Sequence, residues 1–111
     1  MTTQTVQPLP TSAAVWLNTS HALVARTDLD GKVTTVDVIR GVEPETSYLV
    51  RVVRAIGDRQ RVMFLGPSSP RLALEREYVA VFRHPDRLVD VDAVDPTDST
   101  SLAKRLSTLV S

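Results

Sequence analysis

The chain has 111 residues, enough for one domain with a single hydrophobic core. Hydrophobic residues make up 42% and charged residues 23%, which is typical of a folded protein and not of a disordered one. The 13 Lys and Arg residues balance the 13 Asp and Glu residues, so no net charge draws the whole chain to nucleic acid or to an anionic membrane. Any anion binding must come from a local group of cations.

The absence of cysteine excludes disulfides, thiolate zinc sites and cysteine nucleophiles. No apolar stretch approaches the roughly 18 residues that a membrane helix needs, and residues 1–10 lack the basic start and apolar run of a signal peptide. We therefore expect a cytoplasmic protein without a membrane partner. It should have a flexible tail over residues 1–12 and one α/β domain over residues 13–111.

The first forty residues predict three antiparallel strands. Residues 13–17 form an apolar run, residues 21–27 alternate between two sides, and residues 32–39 are rich in Val and Thr. The stretch Asp28-Leu29-Asp30-Gly31 is a hairpin signal, because Gly31 supplies a position with positive φ.

After residue 39 the spacing of apolar residues changes to that of a helix. A first helix is indicated by Pro44 in its first turn, Gly57 as its stop and five apolar residues on one face: Tyr48, Leu49, Val52, Val53 and Ile56. The continuous apolar run at residues 62–65 predicts a strand buried on both faces.

A second helix should begin with Ser68 or Ser69 as its cap and Pro70 at its first position. It should bury Leu74, Tyr78, Val81 and Phe82 and end at His84-Pro85. Residues 88–94 predict a fifth strand, and residues 95–98 a loop and cap. The closing helix should bury Leu102, Leu106, Leu109 and Val110. The order βββ-α-β-α-β-α predicts a five-strand mixed sheet with three helices.

That order of elements resembles a known family, and so do four segments: AVWL at 14–17, HALV at 21–24, VMFLGP at 62–67 and DPTD at 95–98. The chain is similar, over residues 13–110, to the ribonuclease-H-like middle domain of class I release factors and of the rescue factor Pelota. It is closer to small bacterial relatives of that domain, often called translational-machinery-component proteins. The resemblance implies the strand order 3-2-1-4-5 and a role in translation, with the ribosome or structured RNA as partner.

The chain departs from the family at the loop that release factors use for peptide release. In release factors the loop between the third strand and the first helix carries Gly-Gly-Gln, which enters the peptidyl-transferase centre. Here residues 40–45 read Arg-Gly-Val-Glu-Pro-Glu, and the His-rich stretch of many bacterial relatives is missing as well. We therefore expect binding without peptide release.

The turn Gly66-Pro67-Ser68-Ser69 is a candidate anion site. Backbone N–H groups at a helix N-terminus attract phosphate or carboxylate, and the end of a central strand is a usual ligand position in α/β sheets. The turn lacks the Lys and the several glycines of a phosphate-binding loop, and Pro67 and the following Pro70 remove two donors. The alternative is an ordinary capped turn.

No catalytic constellation is evident. Neither Ser68 nor Ser69 lies in a Gly-x-Ser-x-Gly elbow, and the chain has only His21 and His84 as candidate bases. Asp90, Asp92, Asp95 and Asp98 gather near the fifth strand and could bind Mg²⁺. A ribonuclease-H-type nuclease also needs an Asp on the first strand, which ends in Asn18. We expect no enzyme activity, no cofactor and no metal site.

The basic group Arg51, Arg54, Arg59 and Arg61 is the candidate RNA contact. Arg51 has no acid three or four residues away, whereas Arg54 has Asp58. The alternative is a solvated helix face.

Three functions remain open: a non-catalytic translation-associated module, an anion-binding regulator that uses the Gly66 turn, and a structural homo-oligomer. The third would be a homodimer through the strand at residues 32–39, because a long edge rich in β-formers invites pairing.

Overall fold

The structure, a computed structural model, describes residues 11–27, 32–91, 95 and 97–110. Within these ranges the elements follow in the predicted order: β1 (Ser12–Leu17), β2 (His21–Thr27), β3 (Val33–Ile39), α1 (Glu45–Ile56), β4 (Arg61–Leu65), α2 (Ser68–Phe82), β5 (Leu88–Val91) and α3 (Ser99–Val110). A short 3-10 turn (Pro85–Arg87) precedes β5. The hairpin turn at residues 28–31 and residues 92–94 of the expected fifth strand lie outside the described residues.

The strands form one mixed sheet in the order β3-β2-β1-β4-β5, which confirms the order that the resemblance implied. β1 and β2 are antiparallel, as are β2 and β3, whereas β1, β4 and β5 run parallel. The carboxyl ends of β1, β3, β4 and β5 therefore lie at one edge of the sheet, here called the carboxyl edge. The opposite edge, where β4 begins and β2 ends, is called the amino edge.

Helices cover both faces of the sheet. On the α1/α2 face, Val15 and Phe64 pack with Tyr48 and Tyr78. On the α3 face, the alternate residues of the same strands pack against α3, and Trp16 contributes to that cluster. Because successive strand residues point to opposite faces, a strand covered on both sides must be apolar throughout.

The buried run in β4 confirms the prediction of a strand covered on both faces. Residues 62–65 are all buried, and Phe64 is fully enclosed. Trp16, in the apolar run that forms β1, is only 5% exposed. The apolar run is therefore explained by the two helical layers that cover it.

α1 agrees with its predicted pattern. It ends at Gly57, whose φ of 74° is a left-handed conformation that glycine adopts without a steric penalty. The five apolar residues predicted for its inner face are all buried: Tyr48, Leu49, Val52, Val53 and Ile56.

α2 corrects the predicted cap. Pro67 is the N-cap, no side chain caps the helix, and Ser68 and Ser69 lie inside the first turn. Pro70 is therefore the third helical residue, where its missing N–H costs nothing because the first N–H groups of a helix have no intrahelical partner.

The inner face of α2 also differs from the prediction at one residue. Leu74 and Tyr78 are buried and Phe82 packs against the core, but Val81 is 50% exposed. The buried residues of α2 extend from Pro70 to Tyr78 and include Arg71, whereas Val81 lies in the last turn of the helix, beyond them.

α3 begins as predicted, with Asp98 as its cap. The carboxylate Oδ1 of Asp98 accepts a hydrogen bond of 2.7 Å from the N–H of Ser101, and this bond lowers the pKa of Asp98. Leu102 and Leu106 are fully buried against the sheet, as expected. The side chains of Leu109 and Val110 lie outside the described residues.

β1 begins one residue earlier than predicted. Ser12 pairs with Arg61 of β4, and its N–H donates to Thr27 Oγ1 at 2.9 Å. The strand therefore includes the last residue of the segment expected to be a flexible tail. Residues 1–10 of that segment lie outside the described residues.

Candidate functional site

The Gly66 turn lies at the carboxyl edge, where β4 passes close to β1. Gly66 has a φ of 120°, and a Cβ added there would lie 2.3 Å from the carbonyl oxygen of Leu17. Only a residue without a side chain fits both the conformation and this approach.

The two serines of the turn are exposed in the first turn of α2. Their backbone N–H groups are among those that a helix leaves without an intrahelical acceptor, whereas Pro67 and Pro70 supply no N–H. The residues proposed for anion binding (Gly66, Ser68 and Ser69) thus lie together at the helix start and offer two backbone donors.

A buried arginine that the sequence analysis missed lies beneath this turn. Arg71 is 6% exposed. Its Nη1 donates to the carbonyl oxygens of Gly66 at 2.7 Å and Val91 at 3.4 Å. Its Nε lies 3.9 Å from a carboxylate oxygen of Glu75, one helical turn later. Arg71 therefore ties α2 to the carboxyl ends of β4 and β5, and Glu75 balances its charge. The Arg-x-x-x-Glu spacing was the available signal.

Arg51 forms an ion pair that its helical spacing does not predict. Both its Nε, at 3.1 Å, and its Nη2 donate to the Glu43 carboxylate, and Nη2 also donates to the carbonyl oxygen of Ile39 at 2.6 Å. The bond from Arg51 lowers the pKa of Glu43, and the same bond raises the pKa of Arg51. Glu43 precedes α1 by two residues, and the bend of the chain at residues 42–43, before the extended N-cap Pro44, brings the two side chains together.

Arg59 is part of the structural framework at the amino edge. Its Nε donates to the carbonyl oxygen of Ile56 at 2.8 Å, and its Nη1 to that of Thr27 at 2.6 Å. Its backbone N–H donates to the hydroxyl of Tyr78. These contacts join the end of α1 to the end of β2.

Arg54 and Arg61 are exposed. Arg61 opens β4 and, by strand alternation, points to the same face as Met63, which packs against α3. Asp58, the expected partner of Arg54, instead accepts from Arg87 at 2.8 Å.

The four arginines of the basic group therefore do not form one cluster. The ladder between β2 and β3 spans about 20 Å, with the Thr27 contact of Arg59 at one end and the Ile39 contact of Arg51 at the other. Arg51 and Arg54, three residues apart, do lie together on the outer side of α1. They line an open groove of about 340 Å³ with Glu43, Thr46, Ser47 and Val50. We call this groove the α1 surface.

The link between β3 and α1 is short and held in place. Only residues 40–44 separate the two elements. Arg40 Nε donates to the carbonyl oxygen of Glu43 at 3.1 Å, and Arg40 Nη1 donates to that of Thr19 at 3.2 Å. Together with the Arg51–Glu43 pair, these bonds fasten the link to the body of the domain.

The polar groups considered for catalysis lie apart in the described ranges. His21 Nε2 lies 2.8 Å from Asp37 Oδ1, and Asn18 Oδ1 accepts from the N–H groups of Ser20 and His21. No hydrogen bond joins Ser68 or Ser69 to a histidine within the described ranges. Asp92 and the side chain of Asp90 lie outside the described residues, and Asp95 is exposed.

The described residues contain no group of three or more His, Cys, Asp or Glu side chains arranged to hold a metal ion. None of their helices combines the length and the apolar character needed to cross a membrane.

The arrangement of strands and helices matches solved structures. Pelota from Archaeoglobus fulgidus superposes with a TM-score of 0.63 at 12% identity over 91% of this chain. Pelota from Thermoplasma acidophilum superposes with a TM-score of 0.62 at 19% identity over 89% of this chain. The fold is that of a Pelota domain. The chain spans 32% of the length of each of these Pelota proteins.

No protein-family model and no curated protein sequence matches the chain. At identities of 12% and 19%, the Pelota likeness is one of fold. The Pelota-like fold accounts for the mixed sheet and for the helices on both faces. The α1 surface and the turn at Gly66 are defined by the side chains of this chain and do not rest on that likeness of fold.

Proposed function

We propose that this chain is a non-catalytic, translation-associated binding module that contacts the ribosome or structured RNA in the cytoplasm. The observation that carries the proposal is the Pelota-like fold over about nine-tenths of the chain. Release factors and Pelota, whose middle domain the sequence resembles, act in translation. Fold alone does not determine function, so the contacting residues must be argued from the surface.

The absence of catalysis is part of the proposal. The short link at residues 40–44 has no Gly-Gly-Gln triplet, and Arg40 and Arg51 hold it against the domain. A link this short cannot extend far from the body of the domain. We expect no peptidyl-tRNA hydrolysis, nuclease or esterase activity. Turnover that is lost in Ser68→Ala or Asp92→Asn would contradict this expectation.

The α1 surface is the proposed contact. Arg54 is exposed there, and Arg51 presents a planar guanidinium already engaged with two carboxylate oxygens of Glu43. A phosphate offers the same paired acceptors, so it can replace Glu43 on Arg51. Thr46 and Ser47 supply hydroxyl donors to the same groove. Arg61 would be a separate contact on the other face, and the role of Arg59 is structural.

Ribosome association tests this proposal directly. A tagged copy of the chain is fractionated with ribosomes on a density gradient at low and at moderate salt. We expect co-sedimentation at low salt that is lost as the salt concentration rises, because each arginine–phosphate contact releases counterions and so weakens as salt is added. A chain that stays at the top of the gradient at every salt concentration would contradict the proposal.

A second candidate function is anion binding at the Gly66 turn. The first turn of α2 leaves the N–H groups of Ser68 and Ser69 exposed at the carboxyl edge of the sheet, a favourable place for phosphate. Because Glu75 balances the charge of Arg71, the helix N-terminus supplies most of the attraction. A rise in melting temperature with inorganic phosphate, absent for chloride at equal ionic strength, would favour this function.

A further inference from the structure

The outer edge of β3 is long and regular. β3 is the first strand of the sheet order, and each of its residues pairs with one residue of β2, from Thr27 opposite Val33 to His21 opposite Ile39. The strand contains no proline and no bulge, the devices that normally prevent a sheet edge from pairing with another strand.

The backbone N–H and C=O groups of β3 point alternately toward β2 and away from it, and one hydrogen bond shows which residues point which way. The N–H of Arg40 donates to the carbonyl oxygen of Ser20 at 2.9 Å, so these two residues form a hydrogen-bonded pair. In an antiparallel ladder such pairs recur at every second residue. The even-numbered residues of β3 therefore face β2, and the odd-numbered residues point their N–H and C=O groups outward: Val33, Thr35, Asp37 and Ile39. The bond from the Arg51 side chain to the carbonyl oxygen of Ile39 agrees with this phase.

Exposed apolar side chains concentrate at the same edge. Among the described residues, five large apolar side chains are exposed, and three of them belong to β3 or to the link after it: Val33 at 42%, Ile39 at 67% and Val42 at 109%. The one charged side chain of β3, Asp37, is paired within the sheet with His21. Val33 and Thr35 also line an open groove of about 470 Å³ between β3 and α3.

We infer that β3 pairs antiparallel with β3 of a second copy of this chain, with the two-fold axis at Val36. In this register Val33 lies opposite the partner's Ile39, and Thr35 lies opposite the partner's Asp37. Val33 and Ile39, the exposed apolar residues at the two ends of the strand, cover each other at both ends. The outward groups of the odd-numbered residues meet as hydrogen-bonded pairs, and the carbonyl oxygen of Ile39 has a second lone pair besides the one that Arg51 uses.

Neighbouring registers are less favourable. A shift of the axis to residue 37 brings Asp37 opposite its own counterpart, where the two negative charges repel. A shift to residue 35 places Val33 opposite Asp37 and leaves Ile39 unpaired. The Val36-centred register alone among these three covers both apolar residues and avoids a pair of like charges.

The paired copies would form one sheet of ten strands. The two-fold axis runs perpendicular to the sheet, so both copies of α1 lie on the same face of it. The inference goes beyond the proposed function, because it rests on the edge of β3 and not on any contact with RNA.

Cysteine substitutions test the register, since the natural chain has no cysteine to interfere. Val36→Cys is compared with Thr35→Cys and Asp37→Cys under mild oxidation. Residues that face each other in a non-hydrogen-bonded pair have Cα atoms about 4.5 Å apart, a distance that suits a disulfide. Residue 35 or 37 would lie about 8 Å from its own counterpart, which is too far. We expect a disulfide-linked dimer from Val36→Cys alone. Preferred cross-linking of either neighbour, or none at 36, would overturn the register.

A charge pair tests the same register without oxidation. Light scattering of the wild-type chain should give twice the 12.2 kDa mass of one copy at high concentration. The double variant Val33→Lys, Ile39→Lys sets two positive charges opposite each other at both ends and should be monomeric. The matched variant Val33→Lys, Ile39→Glu sets opposite charges there and should be dimeric. A monomeric wild type, or equal masses for the two variants, would overturn the inference. Circular dichroism of both variants serves as the check that they fold.

Discussion

A Cβ placed on Gly66 would lie 2.3 Å from the carbonyl oxygen of Leu17, because β4 leaves the sheet directly beside the end of β1. Gly66→Ala should therefore strain the turn twice, through the contact and through its φ of 120°. Together these effects should lower the free energy of unfolding by about 2 to 5 kcal/mol. Urea denaturation measures this loss.

Gly41→Ala is the matched control for that substitution. A Cβ at Gly41 meets nothing within 4 Å, and its φ lies outside the left-handed region. The control should change the free energy of unfolding by less than about 0.5 kcal/mol. Equal losses for the two variants would show that the close approach to Leu17 is not the cause.

The buried hydroxyl of Tyr78 connects two parts of the amino edge. It donates to the carbonyl oxygen of Gly57 at 2.8 Å and accepts from the N–H of Arg59 at 3.1 Å. Tyr78→Phe leaves both backbone groups without this partner and should lower the free energy of unfolding by about 1 to 3 kcal/mol. Tyr48→Phe, which removes a single bond to the carbonyl oxygen of Asn18, should cost less. The reverse ranking in urea denaturation would contradict this reading of the edge.

Tyr48 also predicts a loss of stability in alkali. Burial raises its pKa from 10 to about 12, so the folded chain keeps the proton where the unfolded chain releases it. The free energy of unfolding that this shift contributes is fully present below pH 10 and falls as the pH rises from 10 to about 12. Denaturation measured across this range should show a steeper decline for the wild type than for Tyr48→Phe. Parallel declines would argue against a protonated Tyr48 in the folded chain.

The sequence predicted well those features that depend on local pattern. The apolar run at residues 62–65 and the helical stripe of α1 report burial directly, because burial on two faces or on one face sets the period of apolar residues. The strand order needed the family resemblance in addition, since pattern alone does not say which strands are neighbours.

Contacts across the chain turn were not predictable in the same way. The Arg51–Glu43 pair depends on the direction of the chain at Pro44, which helical spacing does not encode. Arg71 was missed because an arginine in a helix is ordinarily exposed, and its burial depends on where β4 and β5 end. The cap of α2 was misplaced because residue types that favour caps, such as Ser68 and Ser69, locate the start of a helix only to within one or two residues.

Glu43→Gln gives a sharp test of the α1 surface. If phosphate replaces Glu43 on Arg51, removing the carboxylate charge should raise the affinity for structured RNA at low salt several-fold. Glu77→Gln on α2 is the control, because it removes the same charge from a residue that does not line the α1 surface. Filter binding that rises equally for the two variants would assign the effect to net charge alone.

The most direct measurement for the central claim is filter binding of structured RNA and of ribosomes across a salt series. The wild type is compared with Arg51→Gln, Arg54→Gln and with a matched double variant that removes the same charge, Arg76→Gln on α2 and Arg83→Gln at its C-cap, here called the α2 variant. With about three phosphate contacts, the slope of log affinity against log salt should be about −2 to −3 for the wild type and for the α2 variant. The α1 variant should lose about one unit of slope per arginine. Absence of wild-type binding at low salt, or equal binding by all three proteins, would contradict a translation-associated contact at the α1 surface.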